Sequence, residues 1–195
     1  MKKIFLTYGD KKFSVAKKHL VLLAKESSMF DHIVSLGPSD LDSDFKKEYA
    51  HILREQKGGG FWIWKHRIIK NVLMDISNND LVIYCDAGAS LNYKAKKRFQ
   101  EYIEIINSSE FGNFRMECEP QYKEYQYTTR ELFDYFNVSH SKKIKSGTQL
   151  QAGHMIFKKT KHTENYFKSY SELLKNDALL ITDIYNSKEQ DQGFI

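Results

Sequence analysis

Proline and cysteine are almost missing from this chain, with two of each in 195 residues. Pro38 and Pro120 leave no proline-rich linker, and no serine-rich, repeated or low-complexity tract divides the sequence. A single domain over 1–195 is therefore expected, long enough to bury a substantial core. Cys85 and Cys118 are too few and too far apart for a zinc site or a disulfide framework. No stretch approaches the roughly 18 apolar residues that a membrane span needs. Met1-Lys2-Lys3 leads into only a short apolar run before Gly9-Asp10, unlike an export signal. A reducing, cytoplasmic location is the expectation, with at most peripheral membrane contact.

Aromatic residues are plentiful by contrast: 13 Phe, 12 Tyr and 2 Trp, enough for a packed core or a cleft that stacks on sugars and bases. Thirty Lys and Arg against 25 Asp and Glu leave a formal charge of +5, which favours anionic partners such as phosphates. The lysine pairs at 11–12, 17–18, 96–97, 142–143 and 158–159 are dispersed, so most read as solvated faces.

Ile4-Phe5-Leu6-Thr7-Tyr8 reads as a first strand ending at Gly9, and Phe13, Ala16, Leu20, Leu23 and Ala24 carry helical spacing over 10–26. A second strand covers 32–36, closed by Gly37-Pro38, and a short polar helix covers 45–55. Gly58-Gly59-Gly60 breaks that helix, and an amphipathic one follows over 61–76. A strand at 81–85 and a Lys-rich helix near 92–107 come next. Beyond them the spacing gives a strand at 114–118, a helix at 128–137 capped by Thr128 or Thr129, a strand at 150–157 and a helix at 162–176. Repeated βα units followed by a mixed region predict an α/β fold, a three-layer α/β/α sandwich around a mostly parallel central sheet. The closing run from Glu189 to Ile195 reads as a helix start that the chain does not complete, so truncation at the C-terminal end is expected.

Leu81-Val82-Ile83-Tyr84-Cys85-Asp86-Ala87-Gly88 is the most telling stretch. A continuous apolar run too short for a helix suits a strand buried on both faces. Its aspartate falls at the strand's carboxyl end, where open α/β sheets bind their ligands. Ala87 and Gly88 add no bulk, so a ligand can approach the backbone. The same residues also suit a strand that ends in an Asx turn.

Four segments and one late pair stand in a recognisable order. They are Thr7-Tyr8-Gly9, Gly60-Phe61-Trp62-Ile63-Trp64-Lys65, Tyr84-Cys85-Asp86-Ala87-Gly88, Gln151-Ala152-Gly153 and Asp191-Gln192. Together they resemble the GT-A glycosyltransferases, in particular small bacterial and giant-virus enzymes that build capsule, lipopolysaccharide or capsid glycans. The resemblance covers nearly the whole chain and resides in the set, since each piece alone is weak. It implies the GT-A fold of nucleotide-diphospho-sugar transferases and an inverting hexosyltransferase. The implied donor is a nucleotide sugar, UDP-linked first, and the acceptor a glycan or glycoconjugate hydroxyl.

The resemblance also implies roles. Thr7, Tyr8 and Gly9 would seat the nucleotide, with Tyr8 stacking on the base, while Lys65, Asp86, Ala87 and Gly88 would lie at the diphosphate. Trp64, Gln151, Ala152, Gly153 and Gln192 would line the sugar and acceptor, and Asp191 would be the catalytic base, with Glu189 as its substitute. The family's D-x-D motif holds Mn²⁺ or Mg²⁺. Asp86 matches its first acid, but Gly88 stands at the second. Asp86 would then hold the metal as the lone carboxylate, or bind donor-sugar or ribose hydroxyls, or Lys65 and Arg67 would take over charge neutralisation. Structural readings stand beside these: Trp62 and Trp64 as core anchors, Lys65 as a solvated charge, His154 as a core histidine and Asp191 as a helix cap.

Two other classes compete. One is a non-catalytic GT-A-like interaction module, which the missing second aspartate would suit. The other is a basic nucleic-acid-binding module that stacks bases on its aromatics. Lysines and aromatics do not interleave on one segment, so nucleic acid is not the expected partner.

Overall fold

The computed structural model describes residues 1–185. Five strands, β1 (Lys3–Tyr8), β2 (His32–Leu36), β3 (Leu81–Asp86), β4 (Asn113–Glu117) and β5 (Leu150–Lys158), form one mixed sheet in the order β2-β1-β3-β5-β4. Both β2 and β3 run parallel to β1, and β5 runs antiparallel to β3. This is the expected α/β architecture, with helices packed on both faces of a mostly parallel sheet.

The two central strands earn their place by composition. Phe5, Leu6 and Thr7 in β1 and Leu81, Val82 and Tyr84 in β3 are fully buried, as strands covered on both faces must be. Alternate residues serve opposite layers. Phe5, Leu81, Ile83, Cys85 and Ile156 join Leu20 and Ala24 of helix Ser14–Ser27 and Ile103 and Ile106 of helix Lys96–Ser108 in one core. On the other face, helix Ile63–Asp75 packs on β3 with Ile63, Ile68, Ile69 and Leu73 buried. Two acids hold the start of β1: Asp80 accepts from the Lys2 amide at 2.7 Å and Asp31 from the Lys3 amide at 2.6 Å.

Several boundaries move from expectation for local reasons. The helix expected from residue 10 starts at Ser14, because the Asp10 carboxylate first folds a turn by accepting from the Lys12 and Phe13 amides. The helix expected from about 92 starts at Lys96, after Asn92 makes a similar bond to the Lys94 amide. Of the two candidate caps, Thr129 takes the role, accepting from the Leu132 amide at the head of helix Arg130–Tyr135. The polar helix over 45–55 is two short ones, Ser43–Glu48 and Ala50–Leu53, and it is not polar throughout: Phe45 and Ile52 are buried.

By contact density the chain forms two compact units. Met1–Arg115 with Ala152–Phe167 holds β1, β2 and β3, whereas Met116–Gln151 and residues 168–185 belong to the second. The second unit buries Phe133, Leu173, Leu174 and Leu180 and has its own cavity of about 640 Å³, bordered by Tyr125, Thr128 and Ser139.

Candidate functional site

The strand order creates the site. From β1 the chain crosses to β2 on one side, then returns past β1 to β3 on the other. Connections that leave two neighbouring strands in opposite directions open a crevice at the carboxyl ends. Tyr8 and Asp86 are the last register pair of β1 and β3, so both stand at that crevice. Just past them the two chains nearly touch: a Cβ on Gly9 would lie 3.0 Å from that of Ala87. Bulk is excluded there by geometry.

A cleft of about 840 Å³ opens above these strand ends. Tyr8, Gly9, Asp86, Ala87 and Gly88 form its floor, and Gly58, Gly59, Trp62 and Trp64 one wall. Lys12, Lys46 and Arg54, all exposed, add positive charge to its lining, against Asp10 and Asp86. The glycine wall is a run of five residues with positive φ: Gly58 (59°), Gly59 (58°), Gly60 (94°), Phe61 (50°) and Trp62 (57°). Glycine adopts this region freely, but Phe61 and Trp62 each cost about 1–2 kcal/mol there. Right-handed helix therefore begins only at Ile63, two residues later than the sequence spacing suggests.

Trp64 and Tyr8 stack, with ring centroids 3.8 Å apart and planes 18° from parallel, and the Trp64 indole N–H donates to the Gly58 carbonyl at 3.0 Å. One face of Tyr8 is thus already taken by an indole. Burial, with Asp10 and Asp40 nearby, pushes the Tyr8 phenol up to about 12, so it remains a neutral donor at ordinary pH. Of the two tryptophans, Trp64 is the core anchor at 6% exposure, while Trp62 is 45% exposed at the cleft.

Asp86 is the chemical centre of the floor. Its Oδ1 accepts from the Tyr84 hydroxyl at 2.5 Å and lies 2.9 Å from Lys65 Nζ. Lys65 also donates to the Ala152 carbonyl at 3.0 Å, and its ammonium lies 5.1 Å from the Tyr84 ring and 5.8 Å from that of Trp64. Lys65 is not solvated: its side chain is 12% exposed, against 42% for Asp86. Burial lowers the Lys65 ammonium below its ordinary value, and Asp86 opposes that shift. Burial, the Asp86 charge and their hydrogen bond together drive the Tyr84 phenol far above its usual range.

Other expected site residues fall less simply. Thr7 is fully buried, does not line the cleft, and its hydroxyl has no hydrogen-bond partner. Gly153 is small because Asp86 abuts it: a Cβ there would lie 3.2 Å from Asp86 Oδ2. Gln151 belongs to the second unit, where its amide donates to the Glu117 carbonyl at 3.4 Å. His154 is exposed, not a core residue, because the first half of β5 alternates outward before Met155, Ile156 and Phe157 turn inside. Arg67 does not line the cleft; its Nε pairs with Asp42 Oδ2 at 2.7 Å. Burial of Asp42 works against its charge, but the Arg67 and Phe45 hydrogen bonds prevail and hold the carboxyl below its usual range. Asp191, Gln192 and Glu189 lie outside the described residues.

Sequence reasoning missed Tyr84 as a partner of Asp86, although two residues apart on a strand means one shared face. It also missed Lys46, on helix Ser43–Glu48, and Arg54, just past helix Ala50–Leu53, because neither segment carries a pattern that points to a cleft. Among the described residues no group of three or more His, Cys, Asp or Glu is placed to hold a metal ion. Asp86, the acid expected to hold Mn²⁺ or Mg²⁺, already accepts from an ammonium and a phenol.

No protein-family model matches this chain, and neither does any curated protein sequence. Among solved structures it is similar to a glycosyltransferase involved in the glycosylation of the major capsid of PBCV-1. The TM-score is 0.55 at 12% identity, over 96% of this chain and 73% of that one. It is also matched to the apo-form glycosyltransferase GlyE of Streptococcus pneumoniae TIGR4, with a TM-score of 0.43 and 11% identity, over 97% of this chain and 44% of that one. The first likeness shows a glycosyltransferase-like fold.

Proposed function

We propose that the chain is a glycosyltransferase that moves a sugar from a nucleoside-diphosphate donor, UDP-linked first, to a hydroxyl of a glycan or glycoconjugate. The observation that carries this reading is the cleft at the β1–β3 switch point. It combines an aromatic wall, a glycine floor that excludes bulk, basic side chains and the Asp86 carboxylate, to which Lys65 is paired. A base and ribose need flat apolar surface, a diphosphate needs positive charge, and a sugar needs a fixed carboxylate for its hydroxyls. The fold likeness to a capsid-glycosylating enzyme supports the class and suggests surface polysaccharide or capsid glycan as the product. Transfer is read as inverting and hexosyl, with Asp191 as the base.

Titration calorimetry with UDP, GDP and dTDP tests the reading. At least one nucleotide should bind with a clear preference over the others, and no heat from any of them up to millimolar concentration sinks it. Binding of nucleotide and nucleotide sugars without any turnover would instead favour a non-catalytic module on the same fold.

A further inference from the structure

We infer that this site handles the donor diphosphate without a divalent cation, the Lys65 ammonium standing where a metal ion would otherwise sit. The inference rests on the nucleotide-sugar reading above.

Three observations converge on it. Asp86 Oδ1 is held between Lys65 Nζ and the Tyr84 hydroxyl, so a metal at that oxygen would have to expel a positive charge 2.9 Å away. A metal ion on that oxygen and the ammonium would be like charges only a few ångströms apart, and such charges repel. Next, among the described residues Asp86 has no companion ligands: Gly88 and Gly153 beside it carry no side chain, and no group of three or more His, Cys, Asp or Glu is placed to hold a metal ion. Finally, the ammonium is built into place. It is fixed by the Ala152 carbonyl and lies near the Tyr84 and Trp64 rings, on a side chain only 12% exposed.

Lys65 has three N–H donors, of which Asp86 and Ala152 engage two. The third would meet a phosphate oxygen of a donor seated over Asp86, which lines the cleft floor. Lys12, Lys46 and Arg54 add charge from the cleft lining. During transfer the acceptor hydroxyl gives its proton to the base, and its oxygen bonds the anomeric carbon. The electron pair of the breaking carbon–oxygen bond stays on the departing diphosphate. That developing charge is what a fixed ammonium stabilises, with no reorganisation at the moment of reaction.

The test uses the full chain and has two arms. In the first, Mn²⁺ alone is titrated while its paramagnetic resonance is recorded, and the nucleotide that bound best is titrated in MnCl₂ and in EDTA. The wild-type protein should immobilise no Mn²⁺, and its nucleotide affinity should agree within about twofold between the two buffers. In the second, Lys65→Met keeps the aliphatic stem and loses the charge. Its affinity in EDTA should fall about tenfold or more. Mn²⁺ should then recover part of the loss, because Asp86 has been released.

A wild-type affinity that rises tenfold or more with Mn²⁺, and no longer does so in Asp86→Asn, overturns the inference. So does an unchanged affinity of Lys65→Met in EDTA. Should Lys65→Met fail to fold, as judged by near-ultraviolet circular dichroism, the wild-type arm decides alone. Absence of nucleotide binding in both buffers removes the nucleotide reading and this inference with it, whereas Mn²⁺-tightened binding removes only the inference.

Discussion

Gly59 and Gly60 are neighbours with the same sign of φ, yet a side chain would meet very different surroundings at each. At Gly59 a Cβ finds only the Trp64 indole nitrogen, at 3.7 Å, so the penalty is the left-handed backbone itself. At Gly60 it would come 2.8 Å from Leu53 Cα and 3.0 Å from the Ile52 carbonyl oxygen, backbone that cannot swing aside. Gly59→Ala should therefore cost about 1 kcal/mol and Gly60→Ala about 3 kcal/mol or more. For a chain of this size those costs lower Tm by roughly 2–4 °C and three times as much, respectively. Thermal unfolding followed by circular dichroism reads the difference, and equal shifts would show that the Leu53 contact yields. The sequence marked the triple glycine as a break, but not which glycine is irreplaceable. That depends on Ile52 and Leu53, which only the folded chain brings to Gly60.

Helix Ile63–Asp75 places four successive side chains against four different neighbours. Steps of about 100° turn Trp64 toward Tyr8, Lys65 toward Asp86, His66 toward Phe167 and Arg67 toward Asp42. Its apolar spacing was legible, whereas the partners come from separate elements that spacing cannot reveal. His66 gives this helix a pH response. Burial lowers its pKa to about 4, outweighing the Phe167 hydrogen bond, with Lys70 and Arg67 adding to the fall. Below the ordinary 6.5 the unfolded chain takes up a proton that the folded chain refuses. Stability from this group is thus complete above about 6.5 and is lost as pH falls toward 4, by about 3 kcal/mol in all. Urea unfolding of wild type and His66→Phe between pH 7.5 and 4.5 isolates it, because the carboxylates titrate in both proteins. Stability should decline more steeply in the wild type, and parallel profiles would remove His66 as the cause.

At the scale of the whole molecule, the strand-end aspartate and the βα repeats were enough to anticipate a mostly parallel sheet with a crevice at the ends of β1 and β3. The antiparallel course of β5 was not legible, because the alternation over 150–158 is the same read in either direction. Nor was the second compact unit, since no shift in composition marks residue 116 or 151. The proposed base, Asp191, is tested in the complete chain by Asp191→Asn. Donor binding should be retained while transfer falls about 10²–10⁴-fold, because Asn caps a helix as well as Asp but cannot accept the acceptor proton. Transfer near the wild-type rate would shift the role to Glu189.

Both indoles of the chain, Trp62 and Trp64, border the same cleft, one exposed to water and the other sealed against Tyr8. The protein's ultraviolet emission is therefore a two-component signal from a single place, a solvent-relaxed contribution at longer wavelength and a shielded one at shorter wavelength. A ligand that covers Trp62 should change the longer-wavelength component, so occupancy of that wall can be followed optically without attaching a dye.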